Sequence, residues 1–143
     1  MNNKNENTEP AGILVITHSN YGESLLAAAE SILGPIENCA ALSIDITADV
    51  KEAIDGLRST VENMDKGNGV LILTDMFGGT PTNLSLSLLS IKGVEVVTGV
   101  NLPMILRAAG HSTTKIEILA EEAKQAGLQG IVSASDMLRK KKG

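Results

Sequence analysis

The stretch Gly12–Gly22, which reads GILVITHSNYG, decides the fold. Its first part, Gly12–Thr17, is an apolar run typical of a strand that is buried on both faces of a sheet. A short polar turn follows, and apolar residues then recur at helical spacing, which predicts a helix over Gly22–Leu33. His18 lies directly after the strand, where open α/β sheets bind their ligands. An imidazole at this place can attack as a nucleophile, bind a metal or cap a turn, and these roles stay open at this point.

The composition is that of a single globular domain: 143 residues, of which 43% are hydrophobic and 20% charged. The formal net charge of −5 argues against nucleic acid as the main partner, and the single cysteine excludes an intramolecular disulfide. No apolar run reaches the roughly 20 residues that span a bilayer, and the N-terminus lacks the apolar segment of a signal peptide. We therefore expect a domain over residues 11–135, between a disordered lead-in over residues 1–10 and a mobile basic tail over residues 136–143.

Segments with strand and helix patterns alternate along the rest of the chain. This alternation predicts a doubly wound, mostly parallel α/β sheet with helices on both faces. Further strands are predicted at Ala40–Ile46, Gly69–Thr74 and Val94–Thr98, with a short last strand at Gly130–Ser133. Thr80 is expected to cap a helix that starts at Pro81, and Gly127 is expected to end the last long helix.

A second reactive residue, Asp75, follows the strand Gly69–Thr74 as His18 follows the first strand. In a sheet that starts in the middle and winds outwards, these two strands can lie side by side with a switch point between them. His18 and Asp75 then face each other across one crevice. A carboxylate that accepts the Nδ1 proton of the histidine fixes its tautomer and leaves Nε2 free to attack.

The turn after Asp75 contains the groups that bind a small anion. Gly78 and Gly79 allow backbone N–H groups to approach a ligand closely, and Thr80 adds a hydroxyl where a helix is expected to start. The sequence has no nucleotide-binding glycine motif, no spacing typical of metal ligands and no serine-hydrolase elbow, so we expect neither a metal nor a cofactor. A histidine, a carboxylate and a small anion pocket together suit a phosphohistidine.

Three segments carry a resemblance to a known family. They are Ile16–His18, Thr74–Asn83 (TDMFGGTPTN) and Gly99–Met104 (GVNLPM). Together they resemble the mannose-type enzyme IIA domain of the bacterial sugar phosphotransferase system. The second and third segments are specific in combination, and the resemblance extends from about Gly12 to Val132.

The resemblance implies a role in phosphoryl transfer. It implies that His18 accepts a phosphoryl group on Nε2 from the phosphocarrier protein HPr and passes it to a histidine of a separate enzyme IIB. Asp75 matches the carboxylate that orients the histidine, and Thr80 matches the hydroxyl beside the phosphate. The family fold is a parallel sheet with one antiparallel edge strand, here Gly130–Ser133, in a cytoplasmic homodimer. Ser19 departs from the family pattern, which often has glycine directly after the active histidine.

Transfer between two proteins requires a shallow crevice with an apolar rim. The candidate rim residues are Met76, Phe77, Leu102, Pro103 and Met104. Two alternatives stay open: a regulatory protein whose phosphorylation state is read by a signalling partner, and the phosphoryl-donor subunit of a dihydroxyacetone kinase. The segment Gly99–Met104 favours the mannose type over the kinase subunit. In a transport system of this type the membrane component selects the sugar, so no specific sugar is predicted.

Overall fold

The computed structural model describes residues 9–44, 47 and 49–142, and a parallel sheet lies at its centre. The strands are β1 (Gly12–Thr17), β2 (Cys39–Ser43), β3 (Val70–Thr74) and β4 (Val94–Thr98). The helices are α1 (Tyr21–Leu33), α2 (Val50–Met64), α3 (Thr80–Leu86), α4 (Leu102–Gly110), α5 (Ile116–Gln129) and α6 (Ala134–Lys142). A 3₁₀ helix, Ser87–Ser90, continues α3. The strand order is β2-β1-β3-β4, and all three neighbouring pairs are parallel.

Helices cover both faces of the sheet, which confirms the predicted doubly wound α/β fold. Alternate residues of a strand point to opposite faces, and each set in β1 belongs to a different core. Ile13 and Val15 pack with α1, α4 and α5, whereas Leu14 and Ile16 pack with α2 and α3. Every residue of β1 and β3 is buried, which explains why their sequences are continuous apolar runs.

The strand order places a switch point between β1 and β3. From β1 the chain crosses to β2 on one side, and it then returns to β3 on the other side of β1 before it reaches β4. Ile16 pairs with Thr74, so β1 and β3 end at the same edge of the sheet. The residues that follow these ends, His18 and Asp75, therefore lie at the edge where such folds bind ligands.

Two predicted boundaries are shifted. The strand predicted at Ala40–Ile46 is β2 at Cys39–Ser43, and Ile46 lies outside the described residues. The N-cap of α3 is Gly79, because its backbone is still extended (φ −81°, ψ 164°), whereas Thr80 is already helical. Most of the lead-in expected over residues 1–10 also lies outside the described residues.

The prediction of a final strand at Gly130–Ser133 is wrong. Helix α5 continues to Gln129, with Gly130 as its C-cap, and α6 begins at Ala134. Consequently no antiparallel edge strand is present in the part of the chain that the structure describes. Much of the expected basic tail lies in α6, whose residues up to position 141 are exposed.

The prediction that Gly127 ends the last long helix is also wrong. Gly127 is buried inside α5, where an added Cβ would lie 2.7 Å from Cγ of Met104. A side chain at this position would collide with Met104, so glycine serves the close packing of α4 against α5 rather than a helix end.

Candidate functional site

His18 lies in the turn that joins β1 to α1. Thr17 is buried at the end of the strand, and its Oγ1 accepts a hydrogen bond from the Gly22 N–H at 2.8 Å, which fixes the start of the helix. Ser19 adopts the left-handed region, with φ of +51°. The side chain of His18 is 46% exposed, so a large partner can reach the imidazole ring.

Asp75 binds both the backbone and the ring of His18, of which the sequence predicts the ring contact alone. Its Oδ2 accepts a hydrogen bond from the His18 backbone N–H at 2.8 Å and lies 2.7 Å from ring Nδ1. Its Oδ1 accepts a third bond from the Met76 N–H at 3.0 Å. Because an ionised carboxylate can only accept hydrogen bonds, the proton of the neutral ring lies on Nδ1. Nε2 keeps its lone pair, which can attack an electrophile.

Burial, hydrogen bonds and the charge of His18 together set the pKa of Asp75. Burial by itself raises the pKa of the carboxyl, but the hydrogen bonds from His18 and Met76 lower it. The positive charge of the protonated His18 ring lowers it further, and the combined result is a pKa below the ordinary value of 3.8. Asp75 is therefore ionised at neutral pH and can stabilise positive charge on the imidazole.

The turn after Asp75 approaches the imidazole ring at Cε1, the carbon between its two nitrogens. A Cβ added at Gly79 would lie 2.9 Å from Cε1 of His18 and 3.6 Å from Nε2. Any side chain at this position would displace the ring, so the close approach requires glycine. Gly78 and Thr80 are exposed on either side of Gly79, and their contact with a bound anion stays a prediction.

The residues predicted to form an apolar rim differ in exposure. Phe77 is 76% exposed and Met76 is 56% exposed, and both lie in the turn that follows Asp75. Phe77 also lines a groove beside β4. Leu102 and Pro103 are half-buried at the start of α4. Met104 is wrong as a rim residue, because it is only 3% exposed and packs in the core between α4 and α5.

Two buried hydroxyl groups lie near the site, and the sequence pattern does not predict their roles. Thr74 ends β3 and Thr82 lies in the first turn of α3; both are fully buried, and their Oγ1 atoms lie 2.6 Å apart. Thr82 also donates a hydrogen bond to the Met76 carbonyl at 2.6 Å. The sequence does contain one signal, a threonine on the apolar face of a predicted helix. Such a hydroxyl is expected to be buried, and a buried hydroxyl requires a hydrogen-bond partner.

The second histidine, His111, is remote from this site. It follows α4, and the carbonyl of the next residue, Ser112, accepts a bond from Ala11 just before β1, at the opposite end of the sheet. Its Nδ1 lies 3.5 Å from Oε2 of Glu122. The described residues contain no group of three or more His, Cys, Asp or Glu side chains placed to hold a metal ion. Within the same ranges, no helix has the length and apolar character needed to cross a membrane.

Sequence comparison relates the chain to sugar phosphotransferase components. A family model for EIIA-man, described as "PTS system fructose IIA component", matches residues 12–124. The PTS system mannose-specific EIIAB component of Escherichia coli (strain K12) is 30% identical over 122 residues, which are 83% of this chain and 38% of that protein. The PTS system sorbose-specific EIIA component of Lacticaseibacillus casei is 33% identical over 98 residues, 68% of this chain and 70% of that protein. The chain thus spans well under half of the length of its E. coli relative.

Solved structures share the same fold. The PTS IIA protein associated with the fucose utilization operon of Streptococcus pneumoniae superposes with a TM-score of 0.80 at 27% identity, over 92% of this chain and 98% of that chain. The mannose/sorbose specific IIA subunit of Enterococcus faecalis superposes with a TM-score of 0.77 at 24% identity, over 87% and 95% of the two chains. The second likeness is one of fold alone.

Proposed function

This chain belongs to the mannose-type IIA family of the bacterial sugar phosphotransferase system, and from that premise we propose that it is a phosphohistidine carrier in sugar uptake. His18 accepts a phosphoryl group from HPr in the cytoplasm and passes it to a histidine of a separate enzyme IIB. The named specificities of the relatives, mannose and sorbose, differ from each other, so the proposal leaves the sugar to the membrane component.

The contact between Asp75 Oδ2 and His18 Nδ1 is the observation that supports this proposal most strongly. It puts the ring proton on Nδ1, and a nucleophilic lone pair is then available on Nε2. The exposure of the His18 side chain suits a reaction in which both donor and acceptor are proteins, since each must bring a reactive histidine to the same atom.

The transfer exchanges one N–P bond for another. The lone pair of His18 Nε2 attacks phosphorus as the N–P bond of the donor histidine breaks, and the bonding electrons return to the donor nitrogen. His18 becomes a positively charged phosphoimidazolium ring whose Nδ1 proton stays hydrogen-bonded to Asp75. The protein's contribution to such a step is positioning and stabilisation of charge, which the ionised Asp75 supplies. The second transfer, to enzyme IIB, is the same exchange in the other direction.

The surface around His18 suits a protein partner. Phe77 and Met76 expose apolar side chains in the turn that follows Asp75, and Leu102 and Pro103 add half-buried apolar surface at the start of α4. Large exposed apolar side chains grouped around a reactive residue are typical of an interaction site. Gly78, Gly79 and Thr80 are the residues that we propose to contact the phosphoryl oxygens.

The test is phosphorylation with purified components. The chain is incubated with phosphoenolpyruvate, enzyme I and HPr, and its intact mass is measured before and after mild acid treatment. We expect a gain of one acid-labile phosphoryl group in the wild type and in His111→Ala, and no gain in His18→Ala. An acid-labile phosphoryl group on His18→Ala, or none on the wild type, would refute the proposal.

A further inference from the structure

We propose that Thr82 is a positioning residue for His18: its buried hydroxyl, bonded to the Met76 carbonyl, holds the turn Met76–Gly79 against the imidazole ring. This inference rests on the proposed phosphohistidine function and concerns the same site. The hydroxyl of Thr82 forms hydrogen bonds with Thr74 and with the Met76 carbonyl. Neither partner is His18 or Asp75, so we infer that Thr82 acts through the turn.

The direction of the hydrogen bonds around Thr82 follows from its partners. Its Oγ1 lies 2.6 Å from the Met76 carbonyl oxygen and 2.6 Å from Thr74 Oγ1. A carbonyl oxygen can only accept, so the single hydroxyl proton of Thr82 is donated to Met76. Thr74 must then donate its own proton to Thr82. Both hydroxyls are fully buried, so water cannot reach them. Each hydroxyl therefore needs a hydrogen-bond partner within the protein.

Met76 links Thr82 to the reactive residues through hydrogen bonds. Its carbonyl accepts from Thr82 and, at 3.4 Å, from the Gly79 N–H, while its own N–H donates to Asp75 Oδ1. The 2.6 Å bond from Thr82 is the shorter of the two that this carbonyl accepts. It therefore anchors a turn that contacts Asp75 at its start and faces His18 at its end.

The turn Met76–Gly79 can move only slightly without disturbing the His18 ring. A Cβ on Gly79 would already lie 2.9 Å from His18 Cε1, so the backbone of Gly79 stands close to the ring. A shift of the turn therefore changes the space beside Nε2 and the bond from Met76 to Asp75. Errors of about 1 Å in the placement of reacting groups can cost on the order of a hundredfold in rate.

The experiment compares Thr82→Val, which keeps the shape and removes the hydroxyl, with Thr82→Ser, which restores the hydroxyl. Ser85→Ala is the matched control: Ser85 lies in the same helix, is fully buried and donates one 2.6 Å bond to the Pro81 carbonyl, away from the turn. Thr82→Ala serves in place of Thr82→Val if the valine variant does not fold. All variants are first compared by thermal unfolding.

Two readouts separate positioning from general stability. The first is the rate of phosphoryl transfer from phosphorylated HPr, resolved into kcat and KM. The second is the nitrogen-15 spectrum of the His18 ring without any partner, which reports which nitrogen carries the proton. For Thr82→Val we expect kcat to fall about tenfold or more, because the reacting atoms are misplaced. We expect KM to rise as well, because Met76 and Phe77 of the proposed partner surface lie in the same turn. We also expect the single Nδ1–H tautomer to give way to a mixture.

Thr82→Ser and Ser85→Ala are expected to keep the wild-type kcat and tautomer, even where Ser85→Ala lowers the unfolding temperature as much as Thr82→Val. The inference is overturned if Thr82→Val keeps both, if it changes KM alone, or if Ser85→Ala matches it in kcat. Failure of the proposed function is a distinct result, in which the wild type itself accepts no phosphoryl group. The tautomer measurement on the unphosphorylated chain still decides the role of Thr82 in that case.

Discussion

Asp75 Oδ2 holds His18 by two hydrogen bonds, from the backbone N–H at 2.8 Å and from ring Nδ1 at 2.7 Å. One oxygen atom thus fixes both the position of the residue and the orientation of its ring. The other oxygen accepts from the Met76 N–H at 3.0 Å, so every short contact of the carboxylate is with a hydrogen-bond donor. This arrangement requires a group with two accepting oxygens and a negative charge.

Asp75→Asn is expected to fold and to transfer the phosphoryl group slowly. An amide has only one accepting oxygen, so it cannot accept from both His18 and Met76, and it has no charge to stabilise the phosphoimidazolium ring. Loss of one preorganised electrostatic partner commonly costs about 2.7–4 kcal/mol in the activation barrier. The measurement is the rate of transfer from phosphorylated HPr by rapid quench.

Asp65→Asn is the matched control for that experiment. Asp65 Oδ1 also accepts two backbone bonds, from the N–H groups of Gly67 at 2.8 Å and Gly69 at 3.1 Å, but it lies just before β3 at the far end of the sheet. We expect its replacement to affect stability and to leave the rate unchanged. A wild-type rate for Asp75→Asn, or an equal loss for Asp65→Asn, would remove Asp75 from the mechanism.

The pH dependence of stability provides an independent check on Asp75. Its folded-state pKa is lowered below 3.8, so the unfolded chain binds more protons than the folded chain at acidic pH. The ionised carboxylate therefore contributes stability that is fully present above the unfolded pKa and is lost as pH falls through the folded pKa. We expect the difference in free energy of unfolding between the wild type and Asp75→Asn to shrink below pH 3.8, as measured by urea unfolding across a pH series. A difference that stays constant throughout the series would contradict this assignment.

Ser19→Gly is expected to stabilise the protein. Ser19 has φ of +51°, and a residue with a Cβ in the left-handed region is disfavoured, whereas glycine adopts it freely. The conformational cost of about 1–2 kcal/mol exceeds the entropy that glycine adds to the unfolded chain, so we expect a net gain of about 0.5–1 kcal/mol. Urea unfolding measures the gain, and Ser19→Val, with a β-branched side chain, is expected to be less stable than the wild type. Equal stability of the glycine and valine variants would show that this backbone strain is absent.

The elements that could be predicted from the sequence are those whose burial leaves a local pattern. β1 and β3 are covered on both faces, so each is a continuous apolar run, and the polar residues His18 and Asp75 mark where the runs end. Their pairing then follows from the rule for switch points in wound sheets. A local pattern and a general rule of topology were sufficient for the central pair of the site.

The features that could not be predicted depend on contacts between distant segments. Gly127 has the local signature of a helix end, but the reason for glycine there is Met104, more than twenty residues earlier in the chain. Met104 follows Pro103 in the first turn of α4, and nothing in that segment of the sequence indicates that Met104 points into the core. The role of Thr82 could not be predicted either, because the Met76 carbonyl comes within hydrogen-bond distance of Thr82 only in the folded turn.

β4 forms one edge of the sheet. β4 pairs with β3 on one side, and along the described chain no strand pairs with its other side. A groove of about 670 Å³ runs beside it, lined by residues that include Val97 and Leu128. Ile131 and Val132, which follow α5, are 75% and 54% exposed. An open strand edge beside exposed apolar side chains is a site for pairing with another chain.

We propose that a second copy of the chain covers this edge, so the protein is expected to sediment as a homodimer, at twice 14.9 kDa, at micromolar concentration. A charge placed in the interface disfavours pairing, so the double variant Ile131→Asp, Val132→Asp is expected to be monomeric. The control is Ile32→Asp, which adds a charge at a residue that is also exposed but lies on α1, away from β4. This control is expected to stay dimeric and folded. A wild-type species of 14.9 kDa would contradict the homodimer itself, and a double variant that stays dimeric would place the interface elsewhere on the surface.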